Sequence, residues 1–79
     1  MYYVYVLKHP TENRIYIGFS TDLRSRIKVH KTEHSQWRLA YYEAYASEAD
    51  ATARERRLKH YGNVQQPLKK RIMKSLNAV

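Results

Sequence analysis

The chain has 79 residues, a length that suits one small domain spanning residues 1–79. Its composition, 43% apolar with 2 glycines and 2 prolines, is typical of a folded polypeptide rather than a disordered one. It contains no cysteine, which excludes disulfides, thiolate zinc sites and cysteine nucleophiles. The N-terminal sequence is unlike a signal peptide, and no apolar run approaches the roughly 20 residues of a membrane span. We therefore expect a cytoplasmic protein without a membrane partner.

The distribution of charge is the first indication of function. Fifteen Lys and Arg residues against seven Asp and Glu give a net charge of +8. Residues 51–79 carry eight of these basic residues and a single acidic one, Glu55. Such a field attracts polyanions, of which nucleic acid is the commonest large one, although a basic surface can also serve solubility alone. The predicted nucleic-acid contacts are Lys69, Lys70, Arg71 and Lys74.

The first half of the chain predicts two strands and a helix. Residues 2–7 (YYVYVL) are β-branched and aromatic, residues 9–13 (HPTEN) favour a turn, and residues 14–18 (RIYIG) form a return strand. On that strand, Ile15 and Ile17 should share one face and Tyr16 the other. Ser20 and Thr21 are the N-cap candidates, and Asp22 suits the N-terminus, of a helix that runs to about residue 31. Its apolar stripe consists of Leu23, Ile27 and His30.

The second half predicts a third strand over residues 37–45, with its aromatic side chains mostly on one face, and two further helices. The sequence Ser-Glu-Ala-Asp at 47–50 is typical of a capping box and opens a helix over about 50–61, with Gly62 as its stop. Pro67 suits the first turn of a last helix, whose apolar positions are Leu68, Ile72 and Leu76. We therefore expect an α+β fold, a small three-stranded antiparallel sheet flanked by helices in the order β-β-α-β-α-α.

Five polar side chains are predicted to converge. Tyr5 and Tyr16 lie on strands joined by a short turn, while Arg26 and His30 are four residues apart on one helical face. Glu55 has apolar neighbours at i−4 and i+3, which places its carboxylate near the inward edge of its helix. Taken singly, each residue is more often structural, but the set combines two phenols, a guanidinium, an imidazole and a carboxylate.

The order of these residues resembles that of the GIY-YIG nuclease superfamily. YVY at residues 3–5 followed by YIG at 16–18 is similar to the family's paired motif. Residues 22–30 resemble the family's arginine-bearing helix, and residues 48–59 resemble the helix with its metal-binding glutamate. The resemblance covers nearly the whole chain and extends to the incision domain of bacterial excision repair and to intron homing endonucleases, which makes DNA repair one expected setting.

The resemblance implies a role for each residue. Tyr5 and Tyr16 would be the motif tyrosines, Arg26 the phosphate-stabilising arginine, His30 an accessory catalytic residue and Glu55 the ligand of one Mg²⁺ or Mn²⁺ ion. The expected reaction is metal-dependent hydrolysis of phosphodiester bonds in nucleic acid, with DNA favoured, and the sequence does not decide between DNA and RNA. A tyrosine would act as general base, and the sequence does not fix which one. No second DNA-binding domain is expected, so a protein partner or a homodimer would supply any targeting.

The acid–base behaviour of the tyrosine is a further expectation. A phenol has an ordinary pKa of about 10, and a neighbouring arginine and a divalent cation should lower it. Even so, the phenolate should remain scarce at neutral pH, so the cleavage rate should climb between about pH 7 and 9.

Two alternatives stay open at the level of sequence. The first is a non-catalytic nucleic-acid-binding module on the same scaffold, which would keep the basic surface. The chain also departs from the family's first motif, because Tyr3 stands where the family has a glycine. A metal-independent ribonuclease would instead use two of the chain's histidines as acid and base. The histidines available for that chemistry are His9, His30, His34 and His60.

Overall fold

The structure is a computed structural model that describes residues 1–33 and 36–79. Its strands and helices are β1 (Tyr2–Lys8), β2 (Ile15–Ser20), α1 (Leu23–Glu33), β3 (Arg38–Tyr45), α2 (Glu48–His60), α3 (Gly62–Arg71) and α4 (Met73–Ala78). The strands form one sheet in the order β2-β1-β3, and both pairings are antiparallel. The predicted α+β class and three-stranded antiparallel sheet are confirmed, with one more helix than expected. No helix in the described residues is long and apolar enough to cross a membrane.

The central strand β1 separates two environments, because its side chains alternate between the two sides of the sheet. Val6 pairs with Ile17 of β2 and with Tyr41 of β3, and these residues share the side that packs against α2 and α3. We call this side the core face. Tyr5 pairs with Gly18 and with Tyr42 on the opposite side, which α1 covers, and we call that side the α1 face. The predicted separation of Ile15 and Ile17 from Tyr16 is confirmed.

The core face carries most of the apolar packing. The buried residues of this cluster are Val4, Val6, Ile17, Ala51, Leu58, Leu68 and Ile72. Full burial of a Val, Leu or Ile side chain contributes roughly 1.5–3 kcal/mol, so this cluster anchors α2 and α3 to the sheet. Helix α1 has no fully buried residue. Consequently the α1 face is open enough to present polar side chains next to solvent.

The starts of α1 and α2 show two outcomes for the predicted caps. Ser20 and Thr21 are wrong as N-caps, because α1 begins at Leu23 and its first turn is closed by Asp22. The Ser25 N–H donates to Oδ1 of Asp22 at 3.2 Å, and the Ser25 hydroxyl donates to Oδ2 at 2.8 Å. For α2 the predicted cap is confirmed, since the Ser47 side chain accepts from the Asp50 N–H at 3.3 Å.

The C-terminal helices differ from the predicted pattern. Helix α2 ends just before Gly62, as predicted, but Gly62 has no positive φ and begins α3, while the extended Tyr61 (φ −124°, ψ 95°) ends α2. Pro67 lies inside α3 rather than in its first turn, and Ile72 (φ −108°, ψ 22°) divides the predicted last helix in two. Burial of Leu68 and Ile72 in the core outweighs the local preference of Gly62 for a helix end and of Pro67 for a first turn.

Candidate active site

Tyr5 is the most deeply placed residue of the predicted site. Its side chain is only 1% exposed, and it lies across the sheet from Gly18 on the α1 face. A Cβ atom added to Gly18 would overlap the Cζ and hydroxyl oxygen of Tyr5, so the phenol occupies the space above the glycine backbone. The YIG sequence therefore needs a glycine at this position for a steric reason.

Three rings meet on the α1 face. The Tyr5 hydroxyl lies 3.2 Å from Nε2 of His30, a hydrogen bond in which the phenol donates when that nitrogen carries no proton. The Tyr16 ring lies 6.3 Å from that of Tyr5 and 5.4 Å from that of His30, measured between centroids. These three contacts bring together residues from β1, β2 and α1, as the predicted convergence requires. A proton on Tyr5 thus has an acceptor within hydrogen-bond distance.

The charges of Arg26 and Glu55 act on the same phenol. Burial raises the pKa of Tyr5 to about 12, with smaller contributions from Tyr16 and from the Glu55 carboxylate, and Arg26 opposes them. The expectation of a lowered pKa is therefore wrong for the groups of the protein itself, because desolvation of the buried phenol outweighs the attraction of one exposed guanidinium. These charges connect Tyr5 with Tyr16, Arg26 and Glu55, and the hydrogen bond connects it with His30, so the five predicted residues share one neighbourhood.

Glu55 occupies the inward edge of α2, as predicted. Its side chain is 22% exposed, and the neighbouring Ala51 and Leu58 are fully buried against the sheet. The carboxylate forms an ion pair with Lys59 at 3.2 Å, one helical turn further along. An i,i+4 pair of this kind contributes only about 0.3–0.5 kcal/mol, so the carboxylate can exchange it for a stronger cationic partner.

The family follows from comparison of the whole sequence. A family model described as the GIY-YIG catalytic domain matches residues 1–69, which contain all five of these side chains. The chain belongs to the GIY-YIG family. No match was found among curated proteins or among solved structures. Membership places the chain in a family of endonucleases, which act on nucleic acid and are generally metal-dependent.

The metal chemistry of a GIY-YIG nuclease can be tested against the donor groups that this chain provides. Within residues 1–33 and 36–79, no three His, Asp or Glu side chains are grouped as metal ligands. Mg²⁺ often needs only one or two carboxylates, because waters and substrate phosphate complete its shell. The Glu55 carboxylate is partly buried, is paired with Lys59 one turn along the helix and acts electrostatically on Tyr5, so it fits that requirement. A second carboxylate is not required.

The predicted nucleic-acid contacts lie elsewhere on this GIY-YIG domain. Lys69 and Lys70 line a groove of about 230 Å³ together with Ile15, a residue of the core face. Arg71 ends α3 and Lys74 lies in α4, on the same C-terminal helices. The structure does not bring these cations together with the tyrosines, so they form a separate basic surface.

Three of the four histidines of the ribonuclease alternative are similarly dispersed. His30 contacts Tyr5, whereas His9 binds Gln36 through its Nε2 at 2.8 Å, and the exposed His60 ends α2. His34 lies outside the described residues. None of these contacts pairs two histidines as acid and base.

Two residues near the site are not among those that the sequence patterns single out. Gly18 does belong to the YIG segment, and a glycine inside a strand often marks a close approach. Trp37 and Arg14 border a cleft of about 300 Å³ with Tyr16 and His30. The only signal for Trp37 was that it is the single tryptophan of the chain.

Proposed function

We propose that the protein is a metal-dependent endonuclease that hydrolyses phosphodiester bonds in DNA, with Tyr5 as general base. The hydrogen bond between Tyr5 and His30 carries this proposal, because it gives the proton taken from water a place to go. Tyr16 lies against both rings, and the charges of Arg26 and Glu55 act on the same phenol. A pure binding module needs neither a buried phenol–imidazole pair nor a carboxylate at its centre.

The raised pKa of Tyr5 determines how the proton moves. With a pKa of about 12, a free phenolate is too scarce at neutral pH to serve as a standing base. We infer a relay in which the water proton moves to the Tyr5 oxygen as the Tyr5 proton moves to Nε2 of His30. The water oxygen forms the new bond to phosphorus, and the bond to the leaving sugar oxygen breaks. The buried phenol then never carries a full negative charge.

Arg26 and Glu55 complete the charge balance. Arg26 is exposed on α1 one turn before His30, where its guanidinium can meet the phosphate oxygens as their negative charge develops. Glu55 would hold Mg²⁺ or Mn²⁺, which when bound supplies positive charge for the leaving oxygen. Tyr16, beside both rings, would orient the attacking water.

DNA is the proposed substrate because this route uses water as the nucleophile and has no need of a ribose 2′-hydroxyl. A metal-independent ribonuclease would instead use that hydroxyl with two histidines as acid and base. The net charge of +8 supports binding to either polymer. The choice between DNA and RNA therefore depends on the proposed nucleophile and not on the affinity for either polymer.

The test is a cleavage assay with end-labelled duplex, flap and single-stranded DNA and with RNA of the same sequence. Each is incubated with Mg²⁺, with Mn²⁺ or with EDTA, and the Tyr5→Phe variant is the negative control. We expect DNA cleavage that needs a divalent cation and is lost in Tyr5→Phe. Cleavage of RNA alone that survives EDTA would establish the ribonuclease, and tight binding without cleavage would establish the binding module.

A further inference from the structure

The cleft that Trp37 and Arg14 form beside the tyrosines has a lining that suits one flat aromatic ligand. Its volume is about 300 Å³, and its lining residues are Leu7, Arg14, Tyr16, His30 and Trp37. Two of these residues, Tyr16 and His30, belong to the candidate active site. Whatever occupies the cleft is therefore next to the reacting phosphate.

The indole of Trp37 is held in place by its surroundings. The His9 ring meets it edge-on, with centroids 5.3 Å apart and an angle of 86° between the planes. His9 is fixed in turn by Gln36 at one nitrogen and by the N–H groups of Thr11 and Glu12 at the other. A ring supported in this way loses little conformational entropy when a ligand stacks on it.

Arg14 adds a cation to the same wall. Its guanidinium carbon lies 5.7 Å from the centre of the Trp37 ring, and one of its nitrogens pairs with Glu12 at 2.9 Å. Aromatic rings and guanidinium planes are the groups on which nucleobases stack, and a guanidinium also binds phosphate. The lining thus matches a nucleotide, with its base toward Trp37.

The accessibility of a base selects among nucleic acids. Ligand clefts run from roughly 300 to 1,000 Å³, so this one has room for a heterocycle. A base inside a duplex has both of its faces covered by its neighbours and must leave the stack before it can contact a side chain. The base of an unpaired nucleotide is already accessible, so it can contact the side chains without the cost of leaving a duplex stack.

We propose that this cleft binds the unpaired nucleobase next to the scissile phosphate, which makes single-stranded DNA the substrate class. The inference rests on the proposed function for its position relative to the cut. In this proposal the base stacks on Trp37, and Arg14 orients the nucleotide. Base stacking on an aromatic side chain contributes about 1–3 kcal/mol, so loss of Trp37 should weaken binding of single strands by roughly 5- to 150-fold.

Trp37 itself provides the measurement, because it is the chain's only tryptophan and its emission can be excited apart from that of the tyrosines. Titration in EDTA with single-stranded oligonucleotides and with the matching duplex reports binding without cleavage. We expect quenching by the single strand and much less by the duplex. Affinities of Trp37→Ala and Trp37→Phe are then measured with labelled oligonucleotides, with Trp37→Phe intermediate and the duplex affinity unchanged.

A second arm changes the DNA as well as the protein. One abasic nucleotide is placed at successive positions along the single strand, which removes a base and keeps the phosphates. At one position it should weaken wild-type binding as much as Trp37→Ala does, and it should cause no further loss in that variant. Additive losses at every position, or equal quenching by duplex and single strand, would overturn the proposal.

The outcomes separate this inference from the proposed function. Base-dependent quenching without cleavage of any substrate would support base binding in the cleft and contradict the proposed nuclease activity. Metal-dependent cleavage of duplex and single strand at equal rates, unaffected by Trp37→Ala, would retain the nuclease and reject the cleft.

Discussion

The two faces of the sheet carry clusters with the same chemical inventory and opposite properties. Each cluster contains two phenols, one guanidinium and one carboxylate. The cluster on the core face consists of Glu43, Arg54, Tyr41 and Tyr45. The cluster of the candidate active site consists of Arg26, Tyr5 and Tyr16 with His30 on the α1 face, together with Glu55 of α2.

On the core face, every member of the cluster is bound to one carboxylate. Glu43 accepts hydrogen bonds from the Tyr41 and Tyr45 hydroxyls at 2.8 and 2.6 Å and from two Arg54 nitrogens at 2.9 and 3.0 Å. Burial alone would raise the pKa of Glu43, but these four bonds outweigh it and lower that pKa. Such a network holds β3 to α2 and leaves no group poised for a substrate.

In the candidate active site, the same groups do not converge on their carboxylate. The Tyr5 phenol binds His30, Glu55 binds Lys59, and the Arg26 guanidinium is exposed to solvent. The comparison teaches that an inventory of residue types does not distinguish a structural cluster from a reactive one. The distinction comes from how many of the polar atoms are already engaged.

Replacing Glu55 should have the largest effect on cleavage. We expect Glu55→Gln to reduce the rate by roughly 10³-fold or more, because metal binding supplies several kcal/mol of transition-state stabilisation. Single-turnover cleavage in Mg²⁺ measures this, and Glu48→Gln, an exposed carboxylate on the same helix, is the matched control. Cleavage by Glu55→Gln at the wild-type rate would show that the Glu55 carboxylate takes no part in catalysis.

Replacing Arg26 should have the next largest effect. The contact of its guanidinium with phosphate strengthens as charge develops, so Arg26→Ala should slow cleavage by roughly 10²-fold with a smaller loss of affinity. The exposed Arg24 on the same helix gives the control variant Arg24→Ala. If affinity falls as much as the rate does, Arg26 contributes ordinary phosphate binding and not transition-state stabilisation.

Replacing Glu43 should change stability and not chemistry. Removing a charged acceptor of four hydrogen bonds should cost about 2 kcal/mol, which lowers the Tm by roughly 8–16 °C in a domain of this size. Because the pKa of Glu43 is lowered in the folded state, its contribution is present above its ordinary value of 4.5 and is lost as pH falls. Denaturant unfolding of wild type and Glu43→Gln should therefore give free energies that differ at pH 7 and converge in acid.

The cleavage activity of the same variant tests this division of roles between the two faces. Folded Glu43→Gln, assayed well below its Tm, should retain the wild-type cleavage rate. A lower rate at unchanged stability would place the core-face cluster in the reaction.

The pH dependence of cleavage tests the pairing of Tyr5 with His30. If His30 takes the Tyr5 proton, the single-turnover rate should level off once the His30 imidazole is neutral, and it should not climb toward the raised pKa of Tyr5. His30→Ala should be slower and should climb with pH toward the raised pKa of about 12, approaching tenfold per unit. A wild-type rate that itself climbs steeply through pH 9 would remove His30 from the relay and leave a free phenolate as base.

The basic surface of the C-terminal helices should contribute least. We expect Lys69→Gln with Lys70→Gln to weaken DNA binding and to flatten its salt dependence by roughly 0.7–0.9 units of log–log slope for each phosphate that is no longer neutralised. The cleavage rate at saturating substrate should not change, because these side chains lie in a groove apart from the tyrosines. Unchanged affinity at low salt would exclude this groove from the nucleic-acid footprint.

Local patterns in the sequence determined the elements and the family. Alternation along the strands separated Ile15 and Ile17 from Tyr16, and a serine three residues before an acidic one marked the start of α2. These patterns succeed because periods of 2.0 and 3.6 residues are properties of the backbone itself. The ordered YVY, YIG, arginine and glutamate segments also sufficed to predict the family to which the chain belongs.

Only the tertiary structure decided the environment of each group. It buried Tyr5 over Gly18, so that its pKa rises instead of falling, and it placed Trp37 beside Tyr16 across a long stretch of chain. It also carried α3 through Pro67, against the local preference, because Leu68 is buried. Desolvation and contacts between distant residues depend on how the elements pack, and no periodicity in the sequence encodes those distances.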